Sequence, residues 1–209
     1  MEQEYISFSV SEVAKHLRTL LKEHFPEQKF SVRSNSYSGG SSIDVRWENG
    51  VSLTSVEQIV KQYEGAGFDG SIDLKYYHTH YLLTNGKIIL GRSEGTTDSA
   101  GSNPGFKEPL PPGAKEVHLH CDYIFCHREI TEEVQEKIGR QIAEFEHYEF
   151  KSLDFYDIEL FRNLGIDSWR QAVYKFSRDK DLTDFRGIKR TSSTAGRFPN
   201  DFFELVVNE

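Results

Sequence analysis

Hydrophobic residues near the start of the chain recur at intervals of three and four positions, which is typical of an amphipathic helix. The stripe comprises Val10, Val13, Ala14, Leu17, Leu21 and Phe25. Ser9 and Glu12 have the spacing of a capping box, and Pro26 marks the end of the helix. The pattern predicts a helix that covers a sheet with its apolar face.

The period changes in residues 29–47, KFSVRSNSYSGGSSIDVRW, where apolar and polar positions alternate. Alternation with a period of two predicts two half-buried strands joined by a turn. The residues predicted to face the core are Phe30, Val32, Ile43, Val45 and Trp47. The opposite face then carries Arg33, Asn35, Tyr37, Asp44 and Arg46.

This polar face is the first candidate binding surface, together with the turn residues Ser38, Gly39 and Gly40. Glycine lets a ligand approach the backbone, arginine supplies charge, and a tyrosine can stack or pack on a partner. The alternative is a hairpin with a wide polar turn, in which Arg33 and Asp44 pair across the strands and nothing binds.

The next segments predict a second helix and a second hairpin. Thr54 and Glu57 repeat the capping-box spacing before an apolar stripe that ends at Gly65. Asn85 and Gly86 lie between two apolar runs, which predicts a tight hairpin turn. A polar loop follows over residues 93–113, and EVHLHCDYIF, residues 116–125, predicts a single strand.

The pattern becomes helical after residue 130. Thr131 is placed to cap a helix that runs through Glu146, and residues 155–164 and 168–178 predict shorter helices. The predicted fold class is therefore α+β. Residues 1–130 form an antiparallel sheet built from hairpins and covered by two helices, and residues 131–209 form a mostly helical extension packed on this module as one compact unit.

Composition restricts the class of protein. The 209 residues are 37% hydrophobic and 28% charged, which favours a globular fold over disorder. The apolar runs fall short of the roughly 20 residues that cross a bilayer, and the acidic start lacks a signal-peptide pattern. We expect a cytosolic protein without a membrane partner. Cys121 and Cys126 are too few for a disulfide framework.

The charge is unevenly distributed. Residues 116–167 hold 13 acidic and 5 basic residues, a balance that equals the net charge of −8 of the whole chain. Acidic side chains along the predicted helix can imitate a phosphate backbone and bind a partner, or can simply form a solvated face. These side chains are Glu132, Glu133, Glu136, Glu144 and Glu146. By contrast, residues 186–197 supply possible phosphate contacts at Arg186, Lys189, Arg190 and Arg197.

Catalytic and metal motifs give little support to an enzyme. The chain has neither a GxxxxGK[ST] phosphate-binding loop nor an HExxH zinc-protease motif, and we expect no cofactor. Imidazole and thiol groups at close spacing are the weak candidates for a zinc site. They are His78, His80, His118, His120 and Cys121.

The phrase from Phe30 to Trp47, with the later FDGSIDLKYY and DYIF, resembles large polyvalent protein-associated domain 29 over about residues 10–130. The resemblance implies a protein of a phage or conjugative element. Polyvalent proteins travel into a recipient cell with mobile DNA, and their modules protect that DNA or blunt host defences. The resemblance supplies no catalytic residue.

Three functional hypotheses result. The first is a non-enzymatic accessory protein that binds and inhibits a host defence protein or nucleoprotein complex, as an anti-CRISPR does. The second is a nucleic-acid-binding accessory protein that contacts phosphates through Arg33, Arg46 and the 186–197 segment. The third is a zinc-dependent enzyme. The sequence does not determine the oligomeric state.

Overall fold

The computed structural model describes residues 6–70, 72–91, 110–156 and 165–183, with residues 187–190 and 203–206 described as backbone. The helices are α1 (Val10–His24), α2 (Leu53–Val60), α3 (Glu132–Phe145) and α4 (Trp169–Ser177). Four helices combined with mixed sheets confirm the predicted α+β class. Each helix in this part of the chain is too short or too polar to cross a membrane.

One sheet contains four strands in the order β1 (Ile6–Phe8), β8 (Lys115–Leu119), β6 (His80–Leu82), β7 (Ile88–Leu90). The predicted hairpin is confirmed, because β6 and β7 are antiparallel and Gly86 takes φ 83° in the turn between them. The prediction of a purely antiparallel sheet is wrong. Strand β1, which the sequence pattern missed, runs parallel to β8 with Ile6 opposite Val117.

A second sheet has three strands in the order β2 (Ser31–Tyr37), β3 (Gly40–Glu48), β9 (Tyr123–Glu129). The single strand predicted over residues 116–125 is therefore wrong. The chain leaves the four-stranded sheet after Leu119 and enters the three-stranded sheet at Tyr123. Two-stranded sheets join β4 (Ala66–Asp69) to β5 (Leu74–Tyr77) and β10 (Gly187–Arg190) to β11 (Phe203–Val206).

The chain forms two compact units. Unit 1 comprises Met1–Arg46 and Glu57–His127, and unit 2 comprises Trp47–Val56 and Arg128–Glu209. The prediction of an α+β module over 1–130 and a mostly helical extension over 131–209 stays a prediction. The segment 157–164, which covers most of one predicted helix, lies outside the described residues, as do most of the loop 93–113 and residues 191–202.

Helix α1 of unit 1 follows its prediction closely. The Ser9 hydroxyl accepts a hydrogen bond from the Glu12 amide, and the Glu12 carboxylate accepts one from the Ser9 amide at 2.8 Å. The predicted apolar stripe is buried except for Phe25, which is half-buried. This side of α1 packs on β2, and Arg18 Nη2 donates to the Val32 carbonyl at 2.6 Å.

The starts of α2 and α3 differ in detail from the predicted caps. Ser52, one residue before α2, accepts a hydrogen bond from the Ser55 amide at 3.1 Å, whereas the Thr54 hydroxyl bonds to Asp179. Thr131 does precede α3, but its hydroxyl caps no amide of that helix. Asn49 contacts Thr131 instead, because its Oδ1 accepts from the Thr131 amide at 3.0 Å.

Unit 2 has an apolar core between α3 and α4. Its fully buried side chains include Ile138, Ile142, Trp169, Val173 and Phe176. Helix α4 occupies most of the segment 168–178 where a helix is predicted, and the Ser168 hydroxyl caps it by accepting from the Gln171 amide. The core residues recur at helical spacing, so each helix presents one apolar side to the other.

The half-buried Arg128 side chain holds two segments of unit 2 together. It donates to the carbonyl oxygens of Asn49, Ser177 and Lys180 at 2.8–3.0 Å, and also to that of Gly50. Asn49 and Gly50 both have positive φ, 49° and 56°, so the backbone turns there and presents its carbonyls. Burial lowers the pKa of Arg128 to about 10, and the side chain remains cationic at neutral pH.

Replacing Arg128 with alanine is expected to lower the free energy of unfolding by roughly 1.5–3 kcal/mol, because four partly buried carbonyl oxygens lose a charged donor. Chemical denaturation followed by circular dichroism measures this change. Arg178→Ala, which removes an exposed arginine of the same unit, is the matched control and should cost less than about 0.5 kcal/mol. Equal stability of the two variants would contradict a structural role for Arg128.

Candidate binding face on the three-stranded sheet

The register of the hairpin places the predicted polar residues on one face. Arg33 lies opposite Asp44, Asn35 opposite Ser42, and Tyr37 opposite Gly40. Directly opposed residues of antiparallel strands share a face, and so do alternate residues of one strand. Arg33, Asn35, Tyr37, Asp44 and Arg46 therefore project from the same side of the sheet. Val32, Ile43 and Val45 are buried on the other side, and Phe30 is half-buried just before β2.

The turn of this hairpin is tight, so the wide polar turn of the alternative interpretation is wrong. Strand pairing continues to Tyr37 and Gly40, which leaves only Ser38 and Gly39 in the loop. Gly39 has φ 98°, a conformation that a residue with a side chain rarely adopts. The serines around the turn extend the two strands instead of forming a loose loop.

The tip of the hairpin is fixed by Asp122. The Ser41 amide donates to Asp122 Oδ2 at 3.0 Å, and the Asp122 amide donates to the Ser41 carbonyl at 3.1 Å. A Cβ atom on Gly40 would lie 2.5 Å from Asp122 Oδ2, so only glycine allows this approach. The second carboxylate oxygen of Asp122 binds Lys75 Nζ at 2.9 Å. Gly39 is therefore required by the conformation of the turn, and Gly40 by the close approach of Asp122.

The cross-strand pairing of Arg33 and Asp44 does not form as an ion pair. Asp44 Oδ1 contacts Arg46 Nη2 at 3.4 Å and His127 Nε2 at 3.2 Å. Arg33 is exposed, and its side chain has no hydrogen-bond or ion-pair partner among the described residues. A free guanidinium on a fixed strand is available to bind a partner.

Strand β9 adds two residues to this face that the sequence reasoning missed. His127 contacts Asp44 from β9, and Phe125 lies two residues earlier and so projects on the same side. The Phe125 side chain is 46% exposed and Tyr37 is 49% exposed, which is high for large apolar groups. Alternation of Tyr123, Phe125 and His127 in the sequence was the signal that could have identified them. We call Arg33, Asn35, Tyr37, Asp44, Arg46, Phe125 and His127 the hairpin face.

Side chains form hydrogen bonds with main-chain groups of both outer strands of this sheet. Arg18 binds the Val32 carbonyl of β2, and Glu64 Oε1 accepts from the Ile124 amide of β9 at 2.7 Å. Lys61 pairs with Glu64 at 2.7 Å and lies 5.9 Å from the centre of the Phe125 ring. These contacts interrupt the ladder of groups that another strand would pair with.

The acidic helix α3 is partly neutralised by neighbouring cations. Glu136 pairs with Arg140 at 3.0 Å, and Glu132 approaches Arg170 at 3.6 Å. Arg170 also binds both oxygens of Asp154, at 2.6 and 2.8 Å. Of the other predicted carboxylates, Glu133 and Glu144 are exposed, and Glu146 lies at the end of the helix. A binding role for this helix stays a prediction.

The side chains predicted to contact phosphates in residues 186–197 lie outside the part of the chain whose side chains the structure describes. Arg186 and Arg197 lie outside the described residues. Lys189 and Arg190 belong to β10, of which only the backbone is described, paired with Glu204 and Phe203 of β11. Their binding role stays a prediction.

The histidines and the buried cysteine make mostly structural contacts in unit 1. His78 Nδ1 lies 2.8 Å from the Glu64 carbonyl, and the fully buried His80 has Nε2 3.0 Å from the Gln62 carbonyl. His118 and His120 contact each other with ring centroids 4.6 Å apart. Burial raises the pKa of the Cys121 thiol to about 12, which opposes the thiolate form that zinc requires. Among the described residues, no group of three or more potential ligands could hold a metal.

Comparison with known proteins identifies one family. The model of the family described as large polyvalent protein associated domain 29 matches residues 8–131. The match covers the hairpin face, its tip and the strands that support them. No curated protein and no solved structure matches the chain.

Burial of His80 is expected to make stability depend on pH. Burial lowers the pKa of His80 from 6.5 to about 4, so the unfolded chain binds a proton more readily between these values. The stabilising contribution of neutral His80 is complete above pH 6.5. It is lost as the pH falls towards 4, and the free energy of unfolding then decreases by up to about 3 kcal/mol. Comparing the unfolding free energies of the wild type and His80→Gln across this range isolates the effect.

The control for that comparison is His24→Gln, which changes an exposed histidine of α1. It should retain the pH dependence of the wild type. If His80→Gln lost as much stability in acid as the wild type, proton exclusion from His80 would not be the cause.

Proposed function

The chain belongs to the large polyvalent protein associated domain 29 family, which is associated with polyvalent proteins of phages and mobile elements, and we propose that it is a non-enzymatic anti-defence protein. It binds a host defence protein in the cytosol of the recipient cell through the hairpin face. Binding blocks the partner sterically, as an anti-CRISPR protein does.

The observation that carries this proposal is the composition of the hairpin face. Exposed Tyr37 and Phe125 lie on the same side of one sheet as Arg33 and Arg46, whose side chain is 62% exposed. Aromatic residues and arginine are the types that dominate binding energy at protein interfaces. A monomeric surface has no structural need to expose two large aromatic rings and an unpaired arginine together.

The rigidity of the face supports binding without a large loss of entropy. The hairpin is paired up to its two-residue turn, and Asp122 holds the tip. Side chains presented by a fixed strand lose less conformational freedom on association than those of a mobile loop. The preferred partner surface is acidic, because Arg46 and Asp44 offset each other in their ion pair and Arg33 leaves the face with a net positive charge.

Expression of the chain in bacteria that carry a CRISPR-Cas or restriction system is expected to raise the plating efficiency of a targeted phage. The triple variant Arg33→Ala, Tyr37→Ala, Arg46→Ala should lose this protection. Losing one interface anchor costs about 2 kcal/mol, so affinity for the partner should fall at least about 30-fold. Biolayer interferometry with the purified defence protein measures the affinity directly.

A matched control removes the same kinds of side chain elsewhere. Lys15→Ala, Lys22→Ala, Tyr156→Ala deletes two exposed cations and one exposed tyrosine that are not part of the hairpin face. It should protect the phage as the wild type does. Full protection by the hairpin-face variant would rule out this surface as the site of action.

A second candidate function uses the same face to bind single-stranded nucleic acid. Bases stack on exposed aromatic rings, and arginines neutralise phosphates, so Tyr37, Phe125, Arg33 and Arg46 suit this ligand as well. The net charge of −8 opposes it, because a negatively charged chain is repelled by a polyanion. The candidate is therefore limited to a local contact between the arginines of the hairpin face and a few phosphates.

Salt distinguishes the two candidates. If the chain binds a single-stranded oligonucleotide through Arg33 and Arg46, the logarithm of the binding constant should fall with the logarithm of salt with a slope of about −1.4 for two phosphate contacts. Fluorescence polarisation of a labelled oligonucleotide measures this slope. No polarisation change at low salt would eliminate the nucleic-acid candidate and leave the protein-binding proposal intact.

A further inference from the structure

A cavity of about 550 Å³ lies in unit 1, against the tip of the hairpin. One wall is the turn itself, with Ser36 and Gly39, and the start of α1 contributes Ser9. The remaining wall comes from β5, from the end of β8 and from the chain between β8 and β9. Its volume falls within the range of small-molecule sites and is sufficient for a mononucleotide.

Three aromatic rings form a row along one side of this cavity. The centroids of Tyr77 and His118 are 6.1 Å apart, and those of His118 and His120 are 4.6 Å apart. Tyr77 is 64% exposed, so much of its ring is open to a ligand. Flat aromatic ligands stack on such rings with little dependence on their exact identity.

A donor and an acceptor lie side by side near these rings. Lys75 Nζ is 2.9 Å from Asp122 Oδ1 and 5.2 Å from the centroid of the Tyr77 ring. The pair presents an ammonium group beside a carboxylate. Every nucleobase carries neighbouring acceptor and donor atoms on its base-pairing edge, which is the complementary arrangement.

The charges of the cavity disfavour a simple anion such as free phosphate. Asp122 neutralises Lys75, and the Ser9 hydroxyl and amide are occupied by Glu12 of the capping box. Burial, and then the neighbouring His120, lower the pKa of His118, which favours its neutral form. The remaining chemistry is that of aromatic rings and of one hydrogen-bonding pair.

We propose that this cavity binds a nucleobase, stacked on Tyr77 and hydrogen-bonded at its edge by Lys75 and Asp122. The base belongs either to a free nucleotide or to a single-stranded nucleic acid. This site adjoins the hairpin face at Gly40, beside which the Tyr37 ring lies, but its stacking ring comes from β5 and its hydrogen-bonding pair from β5 and Asp122. The variant Tyr77→Ala tests this site without removing a side chain of the hairpin face, so failure here is distinguishable from failure of the proposed function.

Saturation-transfer NMR on the full chain tests the inference, with AMP, GMP, CMP and TMP as probes. Ribose 5-phosphate, which has the sugar and phosphate without the base, is the matched ligand control. The base protons should receive saturation, while ribose 5-phosphate should give none. A single-stranded deoxyoligonucleotide of about ten nucleotides distinguishes the sources, since a site for free nucleotides binds the monomers more tightly.

Tyr77→Ala should weaken nucleotide binding by about 5- to 100-fold, the effect of removing one stacking ring. The control is Phe68→Ala, an exposed aromatic residue of the same small sheet that does not line the cavity. It should bind within about twofold of the wild type. Equal binding of ribose 5-phosphate, an unchanged affinity of Tyr77→Ala, or no saturation at millimolar nucleotide would each overturn the inference.

Discussion

The carboxylate of Asp122 is the contact on which the arrangement of unit 1 depends. It binds the Ser41 amide of the hairpin tip and the Lys75 ammonium of β5, while the Asp122 carbonyl accepts from the Ala66 amide at 3.3 Å. Three segments that are distant in sequence therefore meet at one residue. A half-buried carboxylate is stable there because donors surround it, and the close approach of the backbone at Gly40 brings one of those donors within reach.

This single anchor determines what lies on each side of the hairpin. On the outer side, the strands remain paired to their last residues, so Arg33 and Tyr37 project at fixed spacing. On the side of β5, the same contact leaves a cavity whose wall is the turn. A loosely held tip would give neither feature, because mobile strands would spread the side chains and fill the space. Both proposed sites are therefore preorganised surfaces.

Local signals were sufficient to predict about half of this fold. The α1 stripe, its capping box and the alternation around Val32 and Val45 depend on neighbours a few residues away, and the structure contains them. The split of residues 116–125 between two sheets was not predictable, because Asp122 bonds to Ser41, which is 81 positions away. Arg128 was missed for the same reason, since its carbonyl partners belong to remote turns. The hairpin-face residues of β2 and β3 were predicted, whereas Phe125 and His127 required knowledge of the third strand.

The occupied edges of the three-stranded sheet have an evolutionary consequence. With Arg18 on β2 and Glu64 on β9, the recognition that we propose for this sheet would depend on side chains of its flat surface more than on main-chain pairing. Main-chain pairing is nearly indifferent to sequence, whereas side chains can be exchanged one at a time without disturbing the strands beneath. Such a scaffold can be retargeted by substitution at a few exposed positions. Under the proposed anti-defence role, a mobile element could keep the fold and vary only the exposed side chains when it enters a new host.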